Sequence, residues 1–503
     1  MVRDPQAALV ALNRFGFGAR GGAAGDFGNA ASDPRGFVKA ELGRPTAALL
    51  DVPGLTSTPA LARAMFEYQG EVKQARAAAK GTVKKADKTA EMAKAEPRLD
   101  ASKSGGREPP MAASASGSMP AMKSDAPKPS MPVNVVQKTY RAEALARIQR
   151  ATIADCGFVE RLVAFWSNHF CVSANKGQPA RMWAGAFERE AIRPHVLGHF
   201  TEMLKAVEQH PAMLFFLDNQ QSIGPDSRAG LRRKRGLNEN LAREIMELHT
   251  LGVGSGYTQA DVTSFARMIT GWTYVGRAGR LGEPGTFIFN ANAHEPGPQR
   301  LLGKTYDDTG IGQGEAALAD IARHPATAKF IATKFVRHFV ADDPPPTLVA
   351  RLQGVFTKTD GDLKAMTLAL VDSDDAWRAP PAKVRSPYEY LIASGRLLAR
   401  IPEDPGLYLG GLNMLGQPLW TPPGPNGFPD TNAAWAAPEG MKLRLDIAAR
   451  IASRIAPGID PRELLEVAMG DAASNETRQA VARAESREQA LALLLMSPEF
   501  QRR

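Results

Sequence analysis

Cysteine is almost missing from this chain: Cys156 and Cys171 are the two among 503 residues. They show neither C-x-x-C spacing nor a disulfide framework, so no redox or thiol-metal motif is present and the redox compartment stays open. If one helix joined them they would stand about 22 Å apart at about 1.5 Å per residue, too far for a disulfide. Long apolar runs are missing too, since none approaches the roughly 18 residues of a membrane span. The opening MVRDPQAALVALNRFGFG lacks the basic segment and apolar run of a secretory signal. Export by the general route is therefore not expected of this chain, which leaves a cytoplasmic protein, a different start, or exit with a signal-bearing partner. Also absent are the G-x-x-x-x-G-K-[ST] phosphate loop, the H-E-x-x-H zinc helix and the G-x-S-x-G nucleophile elbow, which removes three common enzyme classes.

What is present fits a large soluble body, with 44% hydrophobic and 23% charged residues. The net charge of +9 is concentrated: residues 71–138 hold 13 Lys/Arg against 7 Asp/Glu. That stretch begins Ala/Lys-rich and becomes SASGSMPAMKSDAPKPSMP, the composition of a disordered insertion. It contains no aromatic residue, so nucleic-acid binding is not expected of it. A second basic run, Arg228 to Arg235, is either a solvated loop or an attractor for an anionic ligand. The expected architecture is mainly α, a single large helical body with αα-hairpins, a minor β element near 286–290 and a long ordered loop near 410–438. Its parts are an N-terminal helical arm (1–70), the insertion (71–138) and a main helical domain (139–503).

The densest set of ionisable side chains lies in Asn238–Trp272, NENLAREIMELHTLGVGSGYTQADVTSFARMITGW. Asn238 suits an N-cap, and a helix from about 239 to 251 should end at the glycines 252–256. These glycines follow a helix, whereas a dinucleotide fingerprint follows a strand, so they read as a helix-ending turn. At about 100° per residue Leu241, Ile245 and Leu248 share one face, and Asn240, Glu244 and Glu247 another, with Arg243 beside them. His249 lies within about 40° of Ile245 and roughly opposite Glu247, so one ion cannot easily take Glu244, Glu247 and His249 together. Glu239, Arg243 and Glu247 also have the spacing of an ion-pair ladder. Thr258 and Asp261 form a capping pattern for a second helix, with Val262, Phe265, Ile269 and Trp272 on its apolar face.

Two further clusters carry candidate residues. In Phe165-Trp166-Ser167-Asn168-His169-Phe170, His169 shares a helical face with Phe158, Leu162 and Phe165, the place of a buried structural histidine or of a functional one. Phe287–Gly297 alternates like a strand and runs into a His294-Glu295-Pro296-Gly297 turn. Cys171 is a weak thiol-nucleophile candidate. His324-Pro325 reads as a helix cap, and Thr359-Asp360-Gly361-Asp362 as a turn without the full ligand set of a calcium loop. Trp420 and Trp435 bracket proline and glycine turns in a loop suited to lining a pocket or to covering the core. The candidate catalytic residues are Glu244, Glu247, Arg243 and His249. The candidate ligands of a divalent metal ion are His169, His294 and Glu244.

In order along the chain stand LNRFGFGAR, FWSNHF, NENLAREIMELHTLG, YTQADVTSFARMITGW, FNANAHEPGP, LLGKTY, HPATAKFIATKFVRHFVADDPPP, TDGDLKAM, SPYEYL and LLLMSPEFQRR. On these motifs the chain resembles the bacterial family called domain of unknown function 1800, over nearly its whole length outside the insertion. The motif positions matched include Asn168, His169, Asn240, Arg243, Glu244, Glu247, His249, Asp261, Trp272, His294 and Lys304. The resemblance brings no agreed reaction. It implies a bacterial protein, often exported, with a sulfatase-like companion protein as an expected partner. Two functions stay open: a metal-dependent or acid/base hydrolase or oxidoreductase with a Glu/His/Arg pocket, and a non-catalytic binding or assembly partner of that companion.

Overall fold

Seven helices start where a short polar or histidine side chain meets a proline. Asp4, Asp33, His210, His324, Ser386, Asp460 and Ser497 each accept a first-turn amide, and each is followed by proline at the first helical position. The side chain satisfies an orphan N–H, and proline's fixed φ is already helical. The computed structural model describes residues 3–22, 25–44, 46–93, 132–233, 236–455 and 458–503. They form a mainly helical protein with two small antiparallel hairpins. Among them no helix is long and apolar enough to cross a membrane.

The chain divides into two units, Met1–Arg63 with Val136–Arg503, and Ala64–Val135. In the smaller unit the described chain is helical through Ala93, the end of a helix that begins at Thr58. The expected disorder of 71–138 falls, for residues 94–131, outside the described residues, as do 234 and 235 of the basic run. In the larger unit, the helices Val135–Ile153 and Phe158–His169 are buried on most sides. Such burial brings charge inside. Arg14, Arg161, Arg193, Arg385, Arg396 and Arg444 are all under 2% exposed.

Each of these guanidiniums finds acceptors, as a buried charge must. Arg396 donates to the carbonyls of Gly18 (2.9 Å), Ala151 (3.1 Å), Thr152 (3.1 Å) and Asp155 (2.7 Å), so it closes the C-terminal end of Val135–Ile153. Arg14 donates to Ala379 (2.8 Å) and Pro380 (2.9 Å). Arg161 pairs with Glu389 at 3.1 Å, and Arg503 holds the other Glu389 oxygen at 2.9 Å.

The minor β element is Phe287–Phe289, paired antiparallel with Trp272–Tyr274 in the register Trp272 with Phe289. Trp272 therefore does not continue the second helix, as its spacing suggested. That helix is Gln259–Met268, opened by the Thr258–Asp261 capping box. It stops because Gly271 turns at φ +82°, where a Cβ would lie 2.6 Å from the Asn290 carbonyl oxygen. The second hairpin, Gln299–Leu301 with Lys304–Tyr306, closes through Leu302 and Gly303 at φ 49° and 84°. The expected loop near 410–438 is shorter than its composition suggested. The helices Gly406–Met414 and Asn432–Trp435 take up its ends.

Burial alone would raise the Glu389 carboxyl, but Arg161 and Arg503 pull it down to about 2 from an ordinary 4.5. A carboxylate so depressed stabilises the fold fully above its unfolded pKa and ceases to do so as pH falls through the folded one. Stability should decline between about pH 4.5 and 2. Glu389→Gln should lose about 3 kcal/mol at pH 7 by leaving two guanidiniums without their carboxylate. It should also show a smaller further loss in acid, measured by urea unfolding at a series of pH values; an acid profile identical to wild type would refute the assignment.

Candidate functional site

The segment carrying most candidates folds as an α-turn, Asn240–Glu244, followed by a π-turn, Ile245–His249. Its N-cap is Glu239, not the expected Asn238, whose side chain accepts the Asn240 amide at 3.0 Å one residue ahead of the cap. Thr250 donates its hydroxyl to the Ile245 carbonyl at 2.6 Å and the Gly252 amide reaches the Met246 carbonyl at 3.1 Å, which closes the widened end. A π-turn adds a residue to the turn and is a frequent companion of functional sites. Here it carries the His249 ring inward, against Phe170 at 5.3 Å between centroids, while Glu247 stays half-buried at the surface.

His249, 1% exposed, meets a residue that sequence reading passed over. Its Nδ1 lies 2.8 Å from Oε1 of Glu208, which is fully buried at the end of the helix Phe200–Glu208. With Nδ1 taken up by the carboxyl group of Glu208, Nε2 is the ring nitrogen left over. Among the described residues that Nε2 has no hydrogen-bond partner, and neither does Oε2 of Glu208. The backbone carbonyl of His249 accepts from Nε2 of His169 at 3.0 Å, and Nδ1 of His169 accepts from Lys334 Nζ at 2.9 Å. Burial, then the neighbouring Lys334 charge, hold His169 well below its ordinary pKa, so it stays neutral.

Lys334, half-buried on the helix Pro325–Phe339, is pushed down by burial to about 8. Glu244 is half-buried, and its carboxyl is raised by burial, with His249 opposing and Glu247 adding to the rise. Four elements thus converge: Phe158–His169 brings His169, Phe200–Glu208 brings Glu208, Asn240–His249 brings Glu244 and His249, and Pro325–Phe339 brings Lys334.

The other sequence candidates lie elsewhere. Arg243 pairs with Glu239 at 3.0 Å and Glu247 at 3.5 Å, the ion-pair ladder that the spacing also allowed. His294 packs on Phe289 and donates Nδ1–H to the Thr270 carbonyl at 3.1 Å, with Asp308 3.6 Å from Nε2. Among the described residues no group of three or more His, Cys, Asp or Glu is placed to hold a metal ion. With both nitrogens of His169 engaged, one by an ammonium, the expected ligand set of His169, His294 and Glu244 is not assembled. Cys171 lies against the Gly424 and Pro425 carbonyls, and burial raises its thiol to about 12. The reactive species is the thiolate, so Cys171 is no nucleophile at neutral pH.

Beside this site the loop between Met414 and Asn432 lines a cavity of about 90 Å³ with Trp420 and Phe428, and the short helix after it adds Trp435. Its polar wall is a second histidine–carboxylate pair, His338 Nδ1 to Asp430 Oδ2 at 2.7 Å. Burial takes His338 down to about 4. Asp430 is further held by Lys383 at 3.4 Å, so this pair is locked inside a network of charges.

Residues 10–502 match the family described as a protein of unknown function, DUF1800. The chain belongs to the DUF1800 family. No curated protein and no solved structure matches it. In this DUF1800 protein the motif histidines His169 and His249 meet, and the motif histidine His294 anchors the turn after the first hairpin.

Two signals for the missed residues were present. Glu208 follows Leu204 by four residues, and Lys334 follows Ile331 by three, so each charge lies on the apolar side of its helix. Lys334, charged in both states below about pH 8, opposes folding there; its unfavourable contribution fades as pH rises from about 8 toward 10.5, where only the unfolded chain keeps the proton. The amine should titrate near pH 8, seen as one displaced resonance after reductive ¹³C-methylation and absent in Lys334→Met. A Lys334 resonance titrating near 10.5 would contradict this environment.

Proposed function

We propose that the Glu208–His249 pair is the general-base unit of a hydrolytic enzyme. The observation that carries this is the free Nε2 of His249, buried without a partner while Nδ1 is fixed by Glu208 at 2.8 Å. A histidine held in one tautomer by a buried carboxylate, with its other nitrogen open, is the arrangement by which a side chain deprotonates water or a hydroxyl. In the proposed step Nε2 takes a proton from water as the water oxygen bonds to the electrophilic centre of the substrate. Glu244, whose raised carboxyl holds a proton more readily than an ordinary glutamate, gives that proton to the departing group as its bond breaks. The imidazolium then returns a proton to Glu244 through solvent. The Lys334 ammonium, with N–H groups beyond the one given to His169, offsets negative charge on the reacting centre.

Histidine general bases contribute about 10²–10⁴-fold. Across chromogenic nitrophenyl esters, phosphoesters and glycosides, His249→Gln should lower kcat by that range. Glu208→Gln should lower it by at least tenfold and displace the acid limb of the pH profile. Turnover equal to wild type in both variants would remove the pair from catalysis.

A second reading is a non-catalytic partner of a sulfatase-like companion. It is supported by the depth of the cluster, since His169, His249 and Glu208 are each 2% exposed or less, and a polar network closed from water can serve specificity of packing. Under this reading the wild-type protein turns over none of the substrates and co-elutes with the co-expressed companion in gel filtration. Separate elution would count against it.

A further inference from the structure

Sharing no residue with the two histidine sites, the helices Gly406–Met414 and Pro438–Ile455 leave a groove of about 340 Å³ between them. Its inner wall is aliphatic, formed by Leu391, Leu398 and Ile451, and Leu407 stands 73% exposed at its edge. The volume is in the range of small-molecule sites, which pair an apolar interior with a few placed charges. Here all the charges are of one sign. Arg400, Arg450 and Arg454 line the groove, and among the described residues none of them forms an ion pair with a carboxylate. The one side-chain partner of Arg450 is the sulfur of Met414 at 3.9 Å, so its guanidinium lies beside an apolar wall and keeps its strong donors unspent.

That combination of uncompensated charge and apolar wall sets the exposed Arg400, Arg450 and Arg454 apart from the buried Arg161, Arg193 and Arg396, whose partners are carboxylates or carbonyls. It also disfavours the chain's own basic segment as occupant, because residues 71–138 carry 13 Lys/Arg against 7 Asp/Glu and would be repelled. We propose that the groove binds one aliphatic chain ending in a carboxylate, a free fatty acid. The chain would lie against Leu391, Leu398 and Ile451, and the carboxylate would sit among Arg400, Arg450 and Arg454. A carboxylate accepts the guanidinium fork in a bidentate pair, which supplies orientation as well as attraction.

Gly410 lines the groove, and a Cβ placed on it meets no atom within 4 Å, so a large side chain there fills the groove without disturbing the fold. The test is displacement of dansyl-labelled undecanoate by dodecanoate from the full-length protein. Wild type should bind saturably, Gly410→Trp should abolish binding while melting as wild type does, and Arg450→Gln with Arg454→Gln should weaken it about tenfold or more. The methyl ester should bind as weakly as the acid does to the arginine variant. No saturable binding by wild type, or equal binding by Gly410→Trp, overturns the proposal. So does equal affinity for acid and ester. Sedimentation with phosphatidylglycerol vesicles in the absence of dodecanoate binding would assign the arginines to a membrane surface and overturn it as well.

Discussion

Arg193 is the charge around which the larger unit is organised. Its guanidinium, fully buried, donates to both oxygens of Glu160 at 2.8 Å, to Glu188 at 3.1 Å and to the Ala48 carbonyl at 2.9 Å. Glu188 in turn faces Arg147 at 2.8 Å and accepts from Ser167 at 2.9 Å. Segments distant in sequence are thereby fixed to the helix that ends in Asn168 and His169. Deleting one partner of such a network strands a charge in low dielectric, typically at about 3–5 kcal/mol, so the arrangement is far more specific than an apolar core of equal size. The position of His169, and through its bond to the His249 carbonyl the position of the candidate base, follows from these ion pairs.

The π-turns belong to the same logic. Val10–Phe15, Glu188–Ile192 and Ile245–His249 each carry an inward ionisable group: Arg14, Glu188 and His249. A regular α-turn distributes side chains at a fixed angle, and one extra residue re-aims those that follow. The His249 ring meets Glu208 on the side away from the Glu239–Arg243–Glu247 ladder, the side that its spacing from Glu247 already gave it. One short segment thus supplies two environments, a half-exposed salt-bridged face and a buried pair with an open nitrogen.

Two histidine–carboxylate pairs lie near each other in this unit, and their surroundings assign them different work. His338 and Asp430 are enclosed by Arg161, Arg503 and Lys383, which occupy the remaining lone pairs and anchor the loop that carries Trp420 and Phe428. His249 and Glu208 lie against the rings of His169 and Phe170, and among the described residues Nε2 of the one and Oε2 of the other have no hydrogen-bond partner. Unfilled polar atoms are costly in a buried site, and a group that holds one open is the better candidate for meeting a substrate atom.

The sequence by itself determined the helical class, the caps at Thr258 and His324, the hairpin strand at Phe287–Phe289, the absence of a membrane-spanning helix among the described residues, and membership of the DUF1800 family. These depend on local spacing and on motifs, which a linear reading captures. Tertiary structure alone decided that Trp272 leaves its helix at Gly271, that the turn at Ile245–His249 widens, and that Glu208 and Lys334 join His249 and His169 while His294 does not. The physical reason is that a buried charge is placed by its partners. Those partners lie 41 residues away for His249 and 165 for His169, beyond any periodicity that the chain displays.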